Sequence, residues 1–445
     1  MSVKKRFARI PTLLALSLAL VLVAASAGGP AAEVAALSHE MPPTGLVCTS
    51  NETSTFTLTT RTGHIVQPDG NTVFMWGLSE GSNPFQHPSP NLCVKVGDTV
   101  TVVLHNTLDE PISLVFPGQE RVLANNMPSQ PVFDPTTGEL LSLAPMAEPG
   151  GSMTYSFDAT RPGTFLYQSG TNPGVQVDMG LFGALVVRPA SYDPMADSNL
   201  AYNDDDSRYK TSTEYLIIIS DMDPELHLAV EQGYHYDMNR YTTRYWMYNG
   251  RGFPDTVADN GAGWLPNQPY GSLVFMHPAD EEANPYPTLV RYVNVGHATQ
   301  SHHPHGNHGY IIARDGHLLN SGGNDGTGED MAVENFTLTT NPGQTLDVLF
   351  QWWDVDKWHP TMNQIPVVIP QLLDLAVGQW YSGSPYLGNT DLLPVGTQAF
   401  NQCGEYYHLA HNHGLHQITA WGVVLSGQIT FTRIDPPGSE GCIVP

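Results

Sequence analysis

The 445 residues carry 43 Asp and Glu against 18 Lys and Arg, a formal charge of -25. So acidic a surface repels phosphate backbones and anionic headgroups, which disfavours nucleic acid and anionic membranes as partners. It suits a metal ion or a cationic redox partner, or simply keeps an exported chain soluble.

Residues 1–27 read as a secretory signal. Lys4, Lys5, Arg6 and Arg9 make a basic start, an apolar run extends from Leu13 to Ala25, and Ala25-Ser26-Ala27 offers a small-residue cleavage site. A membrane anchor is the alternative, but the run is shorter than the ~20 residues of a helical span. No later stretch is long and apolar enough to cross a bilayer. The mature chain is therefore expected to be exported, to a periplasm or beyond the cell, without a membrane span. Cleavage would leave 14 basic against 43 acidic residues, a formal -29.

The four cysteines are Cys48, Cys93, Cys403 and Cys442. Export places them in an oxidising compartment. Two fall in each half, which suggests the pairs Cys48–Cys93 and Cys403–Cys442. Each bridge would close a loop of about 40 residues and contribute ~3–4 kcal/mol by loop entropy. Sequence alone permits three connectivities. Cys403 as a metal thiolate is a further alternative, because His408 follows five residues later.

Short β-branched runs recur between Gly and Pro turns, and no long stretch has a helical period, so the fold class is all-β. Strands are expected at Val96–Leu104, Thr154–Phe157, Phe165–Tyr167 and Ala184–Val187. A polar, acidic segment over 191–212, including Asp204-Asp205-Asp206, reads as a linker between domains at 28–190 and 213–445. Strands resume at Tyr215–Ile219, Leu289–Val293, Tyr310–Ala313, Thr345–Phe350 and Gln428–Thr432. Both halves place a Pro-Gly turn before a β-run, at Pro149-Gly150 and Pro342-Gly343, which suggests duplication.

The second half also carries two histidine clusters. One reads His302-His303-Pro304-His305-Gly306-Asn307-His308, the other His408-Leu409-Ala410-His411-Asn412-His413-Gly414-Leu415-His416. Alternate residues of a strand face the same way, so His-x-His runs on neighbouring strands can converge on one ion. Three or four neutral imidazoles suit Cu(II) or Zn(II). The candidate ligands are His302, His303, His305, His308, His411 and His413, with His408 and His416 as additional ligands or supports. Inherited histidines that only hydrogen-bond to one another are the bland alternative. Isolated His64, His87, His105, His235 and His277 read as ordinary surface or core residues. Trp352, Trp353 and Trp358 read as packing. Glu405 and Asp315 are acids that could orient an imidazole.

Several motifs together resemble the multicopper oxidases. "RPGTFLYQSG" at Arg161–Gly170 looks like the family's Arg-Pro-Gly-Thr-Phe-x-Tyr-His-Ser-His strand. "MYNGRGFPDT" at Met247–Thr256 resembles its Asn-Gly-x-x-x-Pro-Asp turn. The segment Val290–Gly316 is similar to the strand carrying His-Pro-x-His-x-His-Gly, and Tyr406–Gly422 to the closing His-Cys-His segment. The resemblance covers roughly Val94 to Arg433 and implies two cupredoxin-like Greek-key β-sandwich domains in tandem. It tilts the metal from zinc to copper. It also implies a type 1 copper with a thiolate ligand and a three-copper cluster held by eight histidines, four from each end domain.

The residues depart from that pattern. Ser113–Gly118 stands where His-Trp-His-Gly is expected, so Val115 and Pro117 replace two ligands. Gln168-Ser169-Gly170 replaces His-Ser-His. His411-Asn412-His413 replaces His-Cys-His, and a neutral amide cannot take the place of a soft thiolate. The expected protein is a copper-binding relative without a type 1 site or a complete trinuclear cluster. An active O2-dependent oxidase of laccase or metal-oxidase type, completed by a homo-oligomeric partner, and a metal-free surface scaffold are the alternatives.

Overall fold

The computed structural model describes residues 42–279, 285–322, 328–352, 365–368, 398–401 and 406–434. The expected signal segment, Cys403, Cys442, Glu405, Trp353 and Trp358 lie outside them. Ten strands build the first sandwich: β1 (Thr55–Val66), β2 (Thr72–Glu80), β3 (Leu92–Lys95), β4 (Thr99–His105), β5 (Leu114–Val115), β6 (Leu123–Ala124), β7 (Met127–Pro128), β8 (Ser152–Asp158), β9 (Gly163–Ser169) and β10 (Phe182–Arg188). They form two sheets, ordered β2-β1-β4-β8-β6-β7 and β3-β10-β9-β5.

The alternation read from the sequence decides which side chains enter the core. Val100, Val102 and Leu104 of β4 are fully buried among Phe56, Leu58, Tyr155 and Phe157 of their own sheet. Phe165, Tyr167, Leu185 and Val187 meet them from the other sheet. The turn before β8 needs Gly150, which sits at φ 74, in the left-handed region. Gly343 repeats this at φ 80 in the second sandwich. Cys48 and Cys93 are disulfide-bonded across 45 residues.

The second sandwich contains β11 (Glu214–Met222), β12 (Tyr245–Tyr248), β13 (Val274–Met276), β14 (Thr288–Asn294), β15 (Gln300–Pro304), β16 (Gly309–Arg314), β17 (His317–Leu318), β18 (Val333–Asn335), β19 (Leu338–Thr340), β20 (Thr345–Phe350), β21 (Tyr406–Asn412) and β22 (Ile429–Ile434). One sheet runs β12-β11-β14-β20-β16-β17, with β18 also beside β16; the other runs β13-β22-β21-β15-β19.

β11 and β14 are buried along their whole lengths, because both of their faces are covered. Tyr215, Ile217 and Ile219 point into the second core with Val290, Tyr292 and Val348. Leu216, Ile218 and Val293 point the other way, onto Leu166, Phe182 and Ala184 of the first sandwich. This two-sided packing explains why Tyr215–Ile219 is an unbroken apolar run.

The same junction holds buried charge. Arg291, with no exposed surface, donates to Glu214 at 2.8 Å, and Arg188 of β10 donates to the other Glu214 oxygen at 2.7 Å. Arg291 also lies 3.4 Å from Asp347, whose carboxylate accepts hydrogen bonds from Thr164 of β9 and from Tyr202. Within 191–212, strands Ser198–Leu200 and Arg208–Lys210 pair, and Tyr202 and Tyr209 are fully buried. Among the described residues no helix is long and apolar enough to cross a membrane.

Candidate metal centre

β15 and β21 run antiparallel, with His302 opposite Asn412, His303 opposite His411 and Pro304 opposite Ala410. Backbone bonds from His305 to Leu409 (2.8 Å) and from His413 to Ser301 (2.7 Å) extend the same register at both ends. Because side chains alternate, the register sorts the clusters into two faces. His303, His305, His411 and His413 share one face; His302 and Asn412 share the other.

The first face gathers the imidazoles. Ring centroids lie 4.8 Å apart for His303 and His305, 5.0 Å for His305 and His411, and 4.8 Å for His303 and His413. One ring nitrogen each from His303, His305 and His411 lie within 4.8 Å of one another, an arrangement capable of coordinating a metal. The Nε2 atoms of His305 and His411 are 3.0 Å apart.

The backbone orients two of these rings. His303 Nδ1 donates to the Phe336 carbonyl at 2.6 Å, and His411 Nδ1 donates to the Asn412 carbonyl at 2.8 Å. A carbonyl can only accept, so each neutral ring keeps its lone pair on Nε2. Burial, then the imidazoles of His411 and His303, hold His305 below the ordinary histidine range. Burial also lowers His411, against the pull of the Asn412 carbonyl. Both rings therefore favour the neutral form that metals bind. The cluster opens onto a cleft of about 470 Å³ lined by Gly306, Asn307, His308, Glu334 and Phe336.

The remaining histidines are used differently. His302 turns into the core between Tyr248 and Tyr292 and hydrogen-bonds the Tyr248 hydroxyl at 2.9 Å. Burial, and then the neighbouring His411 and His303, push it down to about 3. His308 is exposed, 3.4 Å from Glu334. His408 packs on Trp352, with ring centroids 4.5 Å apart, and His416 stands edge-on to Trp246. Asp315 caps a turn by accepting from the Thr345 amide and orients no imidazole in the cluster.

Asn412 stands where the resemblance implies a thiolate. Its amide nitrogen donates to Gln300 at 2.7 Å and to Gln428 at 2.6 Å, and its oxygen accepts from Gly414 at 2.8 Å. Gln300 in turn donates to Asp221 at 2.8 Å. Position 412 is thus the node of a buried amide chain, with its back to the imidazoles. Sequence reading missed this chain and the Phe336 carbonyl, since neither belongs to a histidine motif. The glutamines carried no signal, but the alternation of 302 with 303 would have separated the two faces.

In the first sandwich, Val115 pairs with Gln168 across β5 and β9. Both line a cleft of about 530 Å³ with Pro117, Gln119, Arg121 and Leu143, and among the described residues no histidine, cysteine or carboxylate lines it. Behind it, Ser113, Ser142 and Thr171 close a buried ring of hydroxyls 2.8–2.9 Å apart.

Residues 85–191 match the family model described as "Multicopper oxidase". Copper resistance protein A of Pseudomonas syringae pv. tomato is 28% identical over 179 residues, covering 39% of this chain and 25% of that protein. The chain therefore spans about a quarter of that relative's length. The blue copper oxidase from Nitrosomonas europaea superposes with a TM-score of 0.53 at 17% identity, covering 85% of each chain. The multicopper oxidase mgLAC gives 0.51 at 17% identity, covering 86% of each. These two share the fold, a tandem of cupredoxin-like β-sandwiches. The family model and the two solved structures thus agree in pointing to multicopper oxidases as what this chain is similar to. The described residues hold a partial histidine cluster and no complete type 1 or trinuclear ligand set. The stretch matched by the family model lies before the two histidine clusters and includes Val115, Pro117, Gln168 and Gly170, the positions at which the resemblance implies ligands.

Proposed function

We propose that this is an exported copper-binding protein that holds one Cu(II) through the Nε2 atoms of His303, His305 and His411. Convergence of those three imidazoles, two of them oriented by backbone carbonyls, carries the reading. Nitrogen donors suit Cu(II), and a ligating histidine ordinarily donates its other N–H to a fixed acceptor. The resemblance to copper proteins favours copper over zinc. His413 is the nearest reserve ligand, and three ligands leave a coordination position open.

The residues do not fit the other family coppers. Asn412 offers no thiolate, and its amide is consumed by Gln300, Gln428 and Gly414. The first sandwich offers Val115, Pro117, Gln168 and Gly170 where imidazoles would be required. We therefore assign metal handling rather than oxygen reduction. The Cys48–Cys93 disulfide and the basic-apolar start of the chain support export.

The test is metal content with electron paramagnetic resonance of the copper-loaded protein. The expected result is one unblued Cu(II) with nitrogen couplings, lost in His411→Ala. Three or four coppers per chain, or an intense blue colour, would refute it.

A further inference from the structure

The cleft of the first sandwich has no part in copper binding. At about 530 Å³ it falls within the ~300–1,000 Å³ typical of small-ligand sites. A turn over 116–119 shapes its rim, closed by the Gln119 amide donating to the Phe116 carbonyl at 3.0 Å. Pro117 takes the second position and Gly118, at φ 86, the third, as a type II turn requires. Arg161 donates to the Gly118 carbonyl at 3.1 Å and braces the turn. Arg121 follows at φ 53, a left-handed conformation that L side chains avoid. Backbone held in such a state clusters at ligand sites.

The polar groups around this cleft are uncommitted. Arg121 is exposed and, among the described residues, makes no ion pair or side-chain hydrogen bond. In a chain with 43 acidic and 18 basic residues, a guanidinium without an acid partner is unexpected. Glu120, its neighbour in sequence, does not line the cleft. Gln119 does, and its amide nitrogen is shut off from water with no hydrogen-bond partner. The Gln168 side chain also lines the cleft and makes no hydrogen bond among the described residues. Buried glutamines elsewhere are spent on the main chain: Gln268 donates to the Val66 and Gly250 carbonyls, and Gln428 to those of Ser220 and Met247. Val115, Val122 and Leu143 supply an apolar wall.

We propose that this cleft binds a small carboxylic acid with an apolar body. A guanidinium donates and never accepts, so the ligand must accept. The planar fork of arginine matches a carboxylate with two parallel bonds. Gln119 can turn its amide toward the same group without giving up an existing bond, and Gln168 offers a second amide. The apolar body lies on Val115, Val122 and Leu143. A cation would meet Arg121 with no acid to offset it. A metal ion finds no histidine, cysteine or carboxylate among the described lining residues. Inorganic phosphate has no apolar part and would leave the wall wet. The acidic surface does not bar the ligand, because charges beyond ~8 Å are screened at physiological salt and the only charged group in the lining is Arg121. Val115 and Gln168 stand at two positions where the resemblance implies histidines, so the cleft has exchanged one class of ligand for another.

Isothermal titration of the full chain tests this, with phenylacetate as the probe and phenylacetamide, acetate and inorganic phosphate as controls. Phenylacetate is expected to bind at least about 10-fold more tightly than each control, since it alone combines the charge with the apolar body. That comparison needs no variant. Arg121→Met keeps the apolar stem and should weaken phenylacetate by at least about 10-fold while leaving phenylacetamide unchanged. Leu143→Glu puts a carboxylate on the wall at an exposed position and should abolish phenylacetate binding. Unchanged unfolding midpoints would show that both variants remain folded. Phenylacetamide binding as tightly as phenylacetate, phosphate competing with it on equal terms, or full affinity in Arg121→Met would overturn the proposal. So would the absence of binding at millimolar phenylacetate. None of these outcomes touches the copper reading, whose ligands all lie on the second sandwich.

Discussion

His303 stands directly across a strand pair from His411, and the Nδ1 atoms of both are tied to main-chain carbonyls. The two imidazoles stand on paired strands, and main-chain carbonyls fix their rings, one at the end of β21 and one in the short connection between β18 and β19. A site built this way should discriminate sharply between its own ligands and their neighbours. His411→Ala is expected to weaken Cu(II) binding by more than about 100-fold, since even loss of an outer hydrogen-bond partner costs 10–100-fold. His413→Ala should cost about 10-fold or less, because His413 lies outside the trio that converges. Competition titration with a copper chelator reads both. Equal losses would mean that the ion sits between all four rings.

A cysteine placed at position 412 should not create a blue site. Asn412 faces the amide chain and not the imidazoles, so Asn412→Cys places sulfur beside Gln300 and Gln428. Their carbonyls would lose a donor in a buried place, at a cost of about 1–3 kcal/mol for each unsatisfied group. The expected variant is colourless with copper and melts at lower denaturant. An intense blue band on copper addition would show that His302 and the new thiolate can share an ion.

How far the sequence reached follows from these same residues. Strands were legible wherever one face meets water, as in Val100, Val102 and Leu104. That His-x-His runs from the two clusters could face one another on neighbouring strands was legible, because a period of two needs no tertiary knowledge. Which members of His302, His303, His305 and His308 converge was not legible. That depends on register, and one residue of slip exchanges the faces. The roles of Phe336 and Gln300 were hidden for another reason. They act through contacts more than thirty residues distant in sequence, with side chains common in any sandwich.

Arg291 ties the sandwiches together through charge that water cannot reach. Arg291→Met would leave Glu214 and Asp347 with less compensation in the junction. Removing one partner of a buried ion pair typically costs about 3–5 kcal/mol. Guanidinium unfolding should show a loss of that order, whereas the double variant Arg291→Met, Glu214→Gln should recover part of it. A loss below 1 kcal/mol would mean that water screens the pair.

The acid limb of stability should follow Glu214. Burial alone would raise its carboxyl, but Arg188 and Arg291 outweigh burial and hold it below the ordinary glutamate value of 4.5. The unfolded chain therefore takes up this proton before the folded one does. The contribution is fully present above about pH 4.5 and is lost as pH falls through the lowered folded value. Denaturant midpoints from pH 7 to pH 3 should drop more steeply in the natural protein than in Glu214→Gln. Parallel curves would place the acid sensitivity elsewhere.

Gly306 offers the most local test of how the cluster is shaped. It turns the chain just after His305 at φ 73, where a side chain is strained, and a Cβ would lie 2.7 Å from His408 Nδ1. His408 cannot easily yield, because its ring is stacked on Trp352. Gly306→Ala should therefore cost about 1 kcal/mol or more in stability and displace the His305 ring from its contact with the His411 ring. Copper affinity is expected to fall about 10-fold, since ligand placement and not ligand number is altered. Adding His408→Ala removes the steric part but not the backbone strain, so affinity should return further than stability does. If the double variant binds copper no better than Gly306→Ala, then His408 does not set the position of His305, and the turn alone does.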